Sequence, residues 1–146
     1  MSKSKKIVVQ AEPYPFEFVP EQCALLIIDM QRDFLEENGF GAILGNDVSQ
    51  LRRTIQPNVT LLSVWRSLGL LVIHTREGHR PDLTDLPLSK KIRGRNSITI
   101  GDQGPMGRIL VRGESGHDII PELYPQSGEP IIDKPGKGAF YATDLH

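Results

Sequence analysis

Residues 24–34, ALLIIDMQRDF, constrain the fold of this chain more than any other stretch. The apolar run from Ala24 to Ile28 is unbroken and stops at Asp29. A run this short suits a strand rather than a helix, and continuous apolarity suits a strand covered on both faces of a parallel sheet. Open parallel sheets bind their ligands beyond the carboxyl ends of the strands. Asp29 is therefore expected at the rim of a cleft, half desolvated and placed to accept a proton. The same carboxylate would serve equally well to cap the next turn. The strand alone does not separate the two roles.

The chain of 146 residues is one domain in size and long enough to bury a core. Its 24% charged and 38% hydrophobic residues, with a net charge of −1, give no electrostatic basis for a nucleic-acid or anionic-membrane partner. The opening MSKSKK is basic, but only Ile7, Val8 and Val9 follow it, too few for a signal-peptide core or a membrane span. A solvated tail is expected there. The single cysteine, Cys23, rules out an internal disulfide and points to a reducing, cytoplasmic setting.

Residues 1–19 are expected to form an extended N-terminal arm whose prolines and aromatics pack on the domain formed by 20–146. After Asp29, residues 30–47 read as a polar loop carrying Phe34, Phe40 and Ile43. Asn46 or Asp47 can cap a helix with Val48, Leu51 and Ile55 on one face, and Pro57 either opens a second helix or kinks a longer one. Leu61, Leu62, Val64, Trp65 and Leu68 then mark a buried helical face that Gly69 ends. Leu70 to Ile73 is a second strand running into His74 and Thr75, which completes a βαβ unit. Of the 25 glycines and prolines, 17 lie between residues 76 and 138, so the second half is rich in loops. Within it, residues 76–116 show only a short strand signal at Ile109–Val111, yet Leu83, Leu86, Leu88, Ile92, Ile98 and Ile100 indicate an ordered excursion of the lid type. A helical turn is expected over 117–123 and a third strand over Pro130–Asp133. A new helix is expected from Ala139, which makes the chain read as the front part of a longer protein.

Asp29 and Lys134 each follow an apolar strand directly. If those strands are parallel neighbours, both side chains reach one edge of the sheet, where a carboxylate and an ammonium can deprotonate a thiol and hold the thiolate. A structural salt bridge fits the same spacing, and Lys137 is a second lysine in the same loop.

The strand end IIDMQRDF, the strand–helix–strand through LVIHT and the segment IIDKPGKGAFYATDL together resemble the isochorismatase-like cysteine hydrolases, over the chain from about residue 20 onward. The stretches HTREGHRPDLTDLP, GDQGPMGRILVRGESGHDIIPEL and DKPGKGAF are most similar to the biuret hydrolase subgroup, beside the N-carbamoylsarcosine and ureidoacrylate amidohydrolases. The resemblance implies a three-layer α/β/α fold with a mainly parallel sheet, of which this sequence holds the N-terminal part. It also implies an Asp–Lys–Cys triad in which Asp29 and Lys134 match the first two members. Lys134 is preferred to Lys137 because it stands six positions before Phe140, as the family lysine does before a phenylalanine. The resemblance implies a nucleophilic cysteine about thirty residues after that lysine, beyond the end of this sequence. Cys23 is no substitute, because it sits at the entry of its strand and reads as a small buried residue. The implied reaction is hydrolysis of a urea-like amide through a thioester, with biuret giving allophanate and ammonia. Ureidoacrylate and N-carbamoylsarcosine are the rival substrates. The resemblance also implies a homo-oligomer, a tetramer as in the look-alikes.

Phe34 matches a family aromatic that lines the substrate pocket, and Glu77 and His79 are the further substrate-binding candidates, read as shaping the lid and its polar contacts. His74 and His79 lack the partners of a metal set and no cofactor is expected. GDQGPMG does not join a strand to a helix as a phosphate loop would. The basic cluster Lys90, Lys91, Arg93 and Arg95 reads as a solvated loop or a subunit contact. A non-catalytic binding or assembly protein is the reading of a different class.

Overall fold

The computed structural model describes residues 5–92 and 98–146. Arg93 and Arg95 lie outside the described residues, as does the start of the basic tail. Three parallel strands form the central sheet: β3 (Ala24–Ile28), β4 (Leu71–Glu77) and β7 (Ile131–Lys134), in the order β3-β4-β7. A hairpin of β1 (Ile7–Val9) and β2 (Phe16–Phe18) precedes them, and a small hairpin of β5 (Gln103–Gly104) and β6 (Gly107–Arg108) sits in the long excursion.

The loop expected after Asp29 contains two single-turn helices, α1 (Arg32–Leu35) and α2 (Phe40–Ile43). Asp47 caps α3 (Val48–Arg52) by accepting from the Ser49 amide at 3.0 Å. α4 (Ile55–Ser67) carries Pro57 in its first turn, where the missing N–H costs no intrahelical bond. Pro57 thus opens a new helix. Gly69, at φ +64°, ends it in the left-handed conformation that glycine adopts freely.

α4 lies against β3 and β4. Ile27 and Val72 from the sheet meet Ile55 and Leu62 from the helix, with Ile119, Ile120 and Leu123 closing the cluster from the 3₁₀ turn Pro121–Leu123 and the residues before it. Successive side chains of a strand point to opposite faces. On the other face Leu26, Ile28 and Leu71 remain exposed among the described residues. β3 is covered on one face rather than the two its apolar run suggested.

Other expectations fail locally. Two of the arm's three aromatics, Tyr14 and Phe16, are exposed rather than packed on the domain, and Phe16 stacks on the half-buried Phe18 with ring centroids 6.1 Å apart. Residues 139–146 form turns rather than a helix, with Phe140 and Tyr141 exposed. Ile109–Val111 is not a strand, although Val111 bridges to His79. The excursion does pack, around Ile100, Ile109 and Leu110 with Phe34 and Phe40 against them. It also contains one more turn of helix, α5 (Leu88–Lys91).

Adjacent leucines of α4 test this packing. Leu62→Ala should lower the unfolding free energy by about 2–5 kcal/mol, whereas Leu61→Ala, on the exposed side, should change it by about 0.5 kcal/mol or less. Urea titration of both variants measures the difference.

Candidate active site

Asp29 ends β3 with a backbone φ of +52°, a left-handed conformation unusual for a residue with a side chain. It is held there by β4. Its amide donates to the Thr75 carbonyl at 3.1 Å, and the Thr75 hydroxyl donates to Asp29 Oδ1 at 2.7 Å. Its other oxygen, Oδ2, accepts from Lys134 Nζ at 2.6 Å. Lys134 comes from β7, so the pair spans the end of the intervening strand and is not made between neighbours. Lys134 is 1% exposed. It also donates to the Gly136 carbonyl at 3.0 Å, while Glu77 Oε2 stands 3.9 Å away.

Ion pairs on the opposite face fix the strand that delivers Lys134. Arg76 grips Asp133 with two nitrogens at 2.7 and 3.0 Å, in the strand register just before Glu77 and Lys134. Below them Arg66 of α4 holds Glu129 at 2.7 and 2.8 Å, and Glu129 meets His74 Nε2 at 2.8 Å. The Arg66 guanidinium holds the Glu129 carboxyl down at about 2, and burial keeps His74 below the usual histidine range.

Gln31, fully buried, takes the Glu77 amide on its side-chain oxygen at 2.7 Å and returns N–H bonds to the carbonyls of Glu77 and His117 at 2.9 and 2.8 Å. Asp33, also buried, accepts the Leu110 amide at 3.0 Å and so ties the excursion to the loop after Asp29. Burial raises its carboxyl, against the pull of that amide. A cavity of about 500 Å³ opens beside the pair, lined by Phe34, Phe40, Glu77, Lys90, Ile100 and Leu110 among others. Gly136 and Lys137 also line it, so it adjoins Lys134 although neither Asp29 nor Lys134 forms its wall. An anionic side chain, three ammonium groups and two aromatic faces suit a small planar polar molecule.

A match to the Isochorismatase domain covers residues 23–146. The chain belongs to the isochorismatase family. It is 29% identical over 143 residues to a ureidoacrylate amidohydrolase of Klebsiella pneumoniae, a match covering 95% of this chain and 61% of that protein. A cysteine hydrolase from Pseudomonas syringae superimposes with a TM-score of 0.65 at 27% identity, over 99% of this chain and 57% of the other. An N-carbamoylsarcosine amidase from Thermoplasma acidophilum shares the fold, with a TM-score of 0.56 at 23% identity over 84% of this chain and 57% of that one. The chain thus spans about three-fifths of the length of the curated relative.

Within this isochorismatase-family chain, Asp29 and Lys134 meet at the carboxyl edge of the sheet. Glu77, read in sequence as part of the lid, instead ends β4 beside Lys134, and Phe34 lines the adjoining cavity. His79 does not face the cavity. It is fully buried, with Nδ1 3.2 Å from Asp85 and Nε2 2.8 Å from Lys90. Lys90, read in sequence as part of a solvated loop or a subunit contact, instead points inward to these groups. Cys23 is partly exposed at the far end of the sheet, its thiol donating to the Val19 carbonyl at 3.4 Å. Gln31 and Thr75 carried no signal of a site role, and the signal at Lys90 pointed elsewhere, because each acts on partners distant along the chain.

Three buried histidines surround this site, and each is held below the ordinary value of 6.5. His117 is lowered furthest, to about 4, first by burial and then by the Arg76 charge. The folded state resists proton uptake that the unfolded chain accepts, so their contribution is complete above pH 6.5 and declines as pH falls towards 4. Glu129 adds a loss below its ordinary 4.5, continuing towards about 2. Denaturation across this range should show unfolding free energy falling from pH 6.5 downward. A flat profile would contradict the burial of these rings.

Proposed function

We propose that this chain carries the proton-handling half of a cysteine amidohydrolase that cleaves a C–N bond of a small urea-like compound. The observation that carries the reading is the 2.6 Å contact between the buried Lys134 and Asp29 at the carboxyl edge of the sheet. The nucleophile is a thiol contributed by residues outside this sequence. Asp29 takes the thiol proton and the Lys134 ammonium stabilises the thiolate. The thiolate adds to the substrate carbonyl carbon, and backbone N–H groups receive the oxyanion. The C–N bond breaks as Asp29 returns its proton to the departing nitrogen, leaving a thioester. Water then adds to the thioester, giving a proton to Asp29, which passes it to the departing sulfur.

Biuret is the leading substrate, giving allophanate and ammonia. Phe34 can face a planar ureido group and Glu77 can accept its N–H bonds. Ureidoacrylate is the second reading, supported by the amidohydrolases that match at 29% identity. Lys91 and Lys137 line the same cavity and could meet the carboxylate that ureidoacrylate carries and biuret lacks. N-carbamoylsarcosine is a third ureido compound of this kind. No cofactor is assigned a role, the enzyme is taken as cytoplasmic, and a homo-oligomer is the expected assembly. None of the described helices is long and apolar enough to cross a membrane.

Ammonia release from biuret, ureidoacrylate and N-carbamoylsarcosine, measured on the protein at its natural length, tests the assignment. Turnover of a rival without turnover of biuret would replace biuret as substrate. Asp29→Asn and Lys134→Met should each lower kcat by roughly 10²- to 10⁴-fold; an unchanged kcat in either would remove that residue from the mechanism. An intact natural mass of 16.3 kDa would favour the non-catalytic binding protein instead.

A further inference from the structure

Lys90 stands on α5, in the excursion that covers the cavity. Its ammonium reaches Glu77 Oε1 at 2.5 Å, His79 Nε2 at 2.8 Å and the Pro135 carbonyl at 3.1 Å. An ammonium has three N–H bonds, and here each has an acceptor. The acceptors come from the end of β4, the loop after it and the loop after β7. So complete a set of partners, drawn from three parts of the chain, is not the environment of a solvated lid charge.

Two carboxylates lie within reach of Lys134, yet only one touches it. Asp29 Oδ2 is at 2.6 Å and Glu77 Oε2 at 3.9 Å, although Glu77 and Lys134 are paired neighbours in the strand register. Attraction between opposite charges would draw Glu77 onto Lys134 as well. What opposes it is Lys90, which holds the other Glu77 oxygen. With Lys90 present the cleft contains two carboxylates and two buried or half-buried ammonium groups. Without it Lys134 must serve both acids, and one negative charge is uncompensated.

We propose that Lys90 is a positioning residue: it holds Glu77 off Lys134, keeps the Lys134 ammonium on Asp29, and ties α5 over the cavity. His79 and Asp85 steady it from behind. Because Lys90 has only donors, His79 Nε2 must accept, which puts the ring proton on Nδ1, towards Asp85. Arg112 closes the row at 3.4 Å from Asp85. Lys91 and Lys137 are the other charged groups on the cavity wall.

The test has two arms, both on the protein at its natural length. The first rests on the amidohydrolase reading. Lys90→Met should lower kcat roughly 10- to 100-fold with little change in KM, and should move the acid limb of the kcat/KM profile to higher pH. Lys90→Arg should restore both. A loss of kcat with an unmoved limb, or a rise in KM alone, would overturn the proposal. The second arm is independent of activity. The Lys90 charge, after burial, helps hold His79 below its ordinary protonation range. NMR titration of the His79 ring should therefore show protonation at higher pH in Lys90→Met and little change in Lys90→Arg. An unmoved His79 in Lys90→Met would overturn the geometry even in an active enzyme. Failure of the wild type on every ureido substrate would defeat the amidohydrolase reading and leave this second arm decisive. If Lys90→Met does not fold, Lys90→Gln carries the same readouts.

Discussion

A lysine at 1% exposure needs a counter-charge, and the edge of this sheet is organised to give Lys134 one. Removing one partner from a buried ion pair costs about 3–5 kcal/mol, because the other charge is left desolvated and alone. The arrangement around the pair follows from that penalty. Asp29 occupies a left-handed backbone conformation that costs an L-residue about 1–2 kcal/mol. Hydrogen bonds from Thr75 and Lys134 offset it. The clamp between Arg76 and Asp133 fixes the relative height of β4 and β7, which determines that Lys134 arrives level with Glu77. Gln31 fixes Glu77 from the other side through its amide and carbonyl.

Much of this was legible in the sequence, where hydrophobic pattern and punctuation coincide. Ala24–Ile28 is a strand because five apolar residues stop at a charge. α4 was marked by Pro57 in its first turn and Gly69 just past its end, residues whose backbone preferences permit few positions. Asp29 and Lys134 stood out because each closes an apolar run. The strand β4 extends four residues beyond its apolar part, through His74, Thr75, Arg76 and Glu77. Those residues are polar, and only their pairing with β3 and β7 on either side makes them a strand.

The rest was hidden for reasons of the same kind. Gln31 and Lys90 find partners 11 to 86 residues away, a relation that spacing does not encode. The apolar run of β3 suggested two covered faces, but Leu26 and Ile28 belong to a face left open among the described residues, the face that also carries Glu77 and Lys134. Phe16 stacks on Phe18 in the β1–β2 hairpin while Tyr14 stays exposed, an arrangement that aromatic content alone does not distinguish from packing on the domain. Residues 139–146 have helical spacing without an apolar partner to pack against, and propensity alone does not hold so short a helix.

The central claim is that Asp29, held by Lys134 and Thr75, is the base that generates a nucleophilic thiolate. The most direct measurement is the rate of iodoacetamide alkylation at each cysteine other than Cys23, located by peptide mapping and followed against pH in the natural-length protein and its Asp29→Asn variant. The account predicts one cysteine that is alkylated rapidly at neutral pH in the wild type. In Asp29→Asn that cysteine should slow by roughly tenfold or more at the same pH. Equal rates in the two proteins would contradict it.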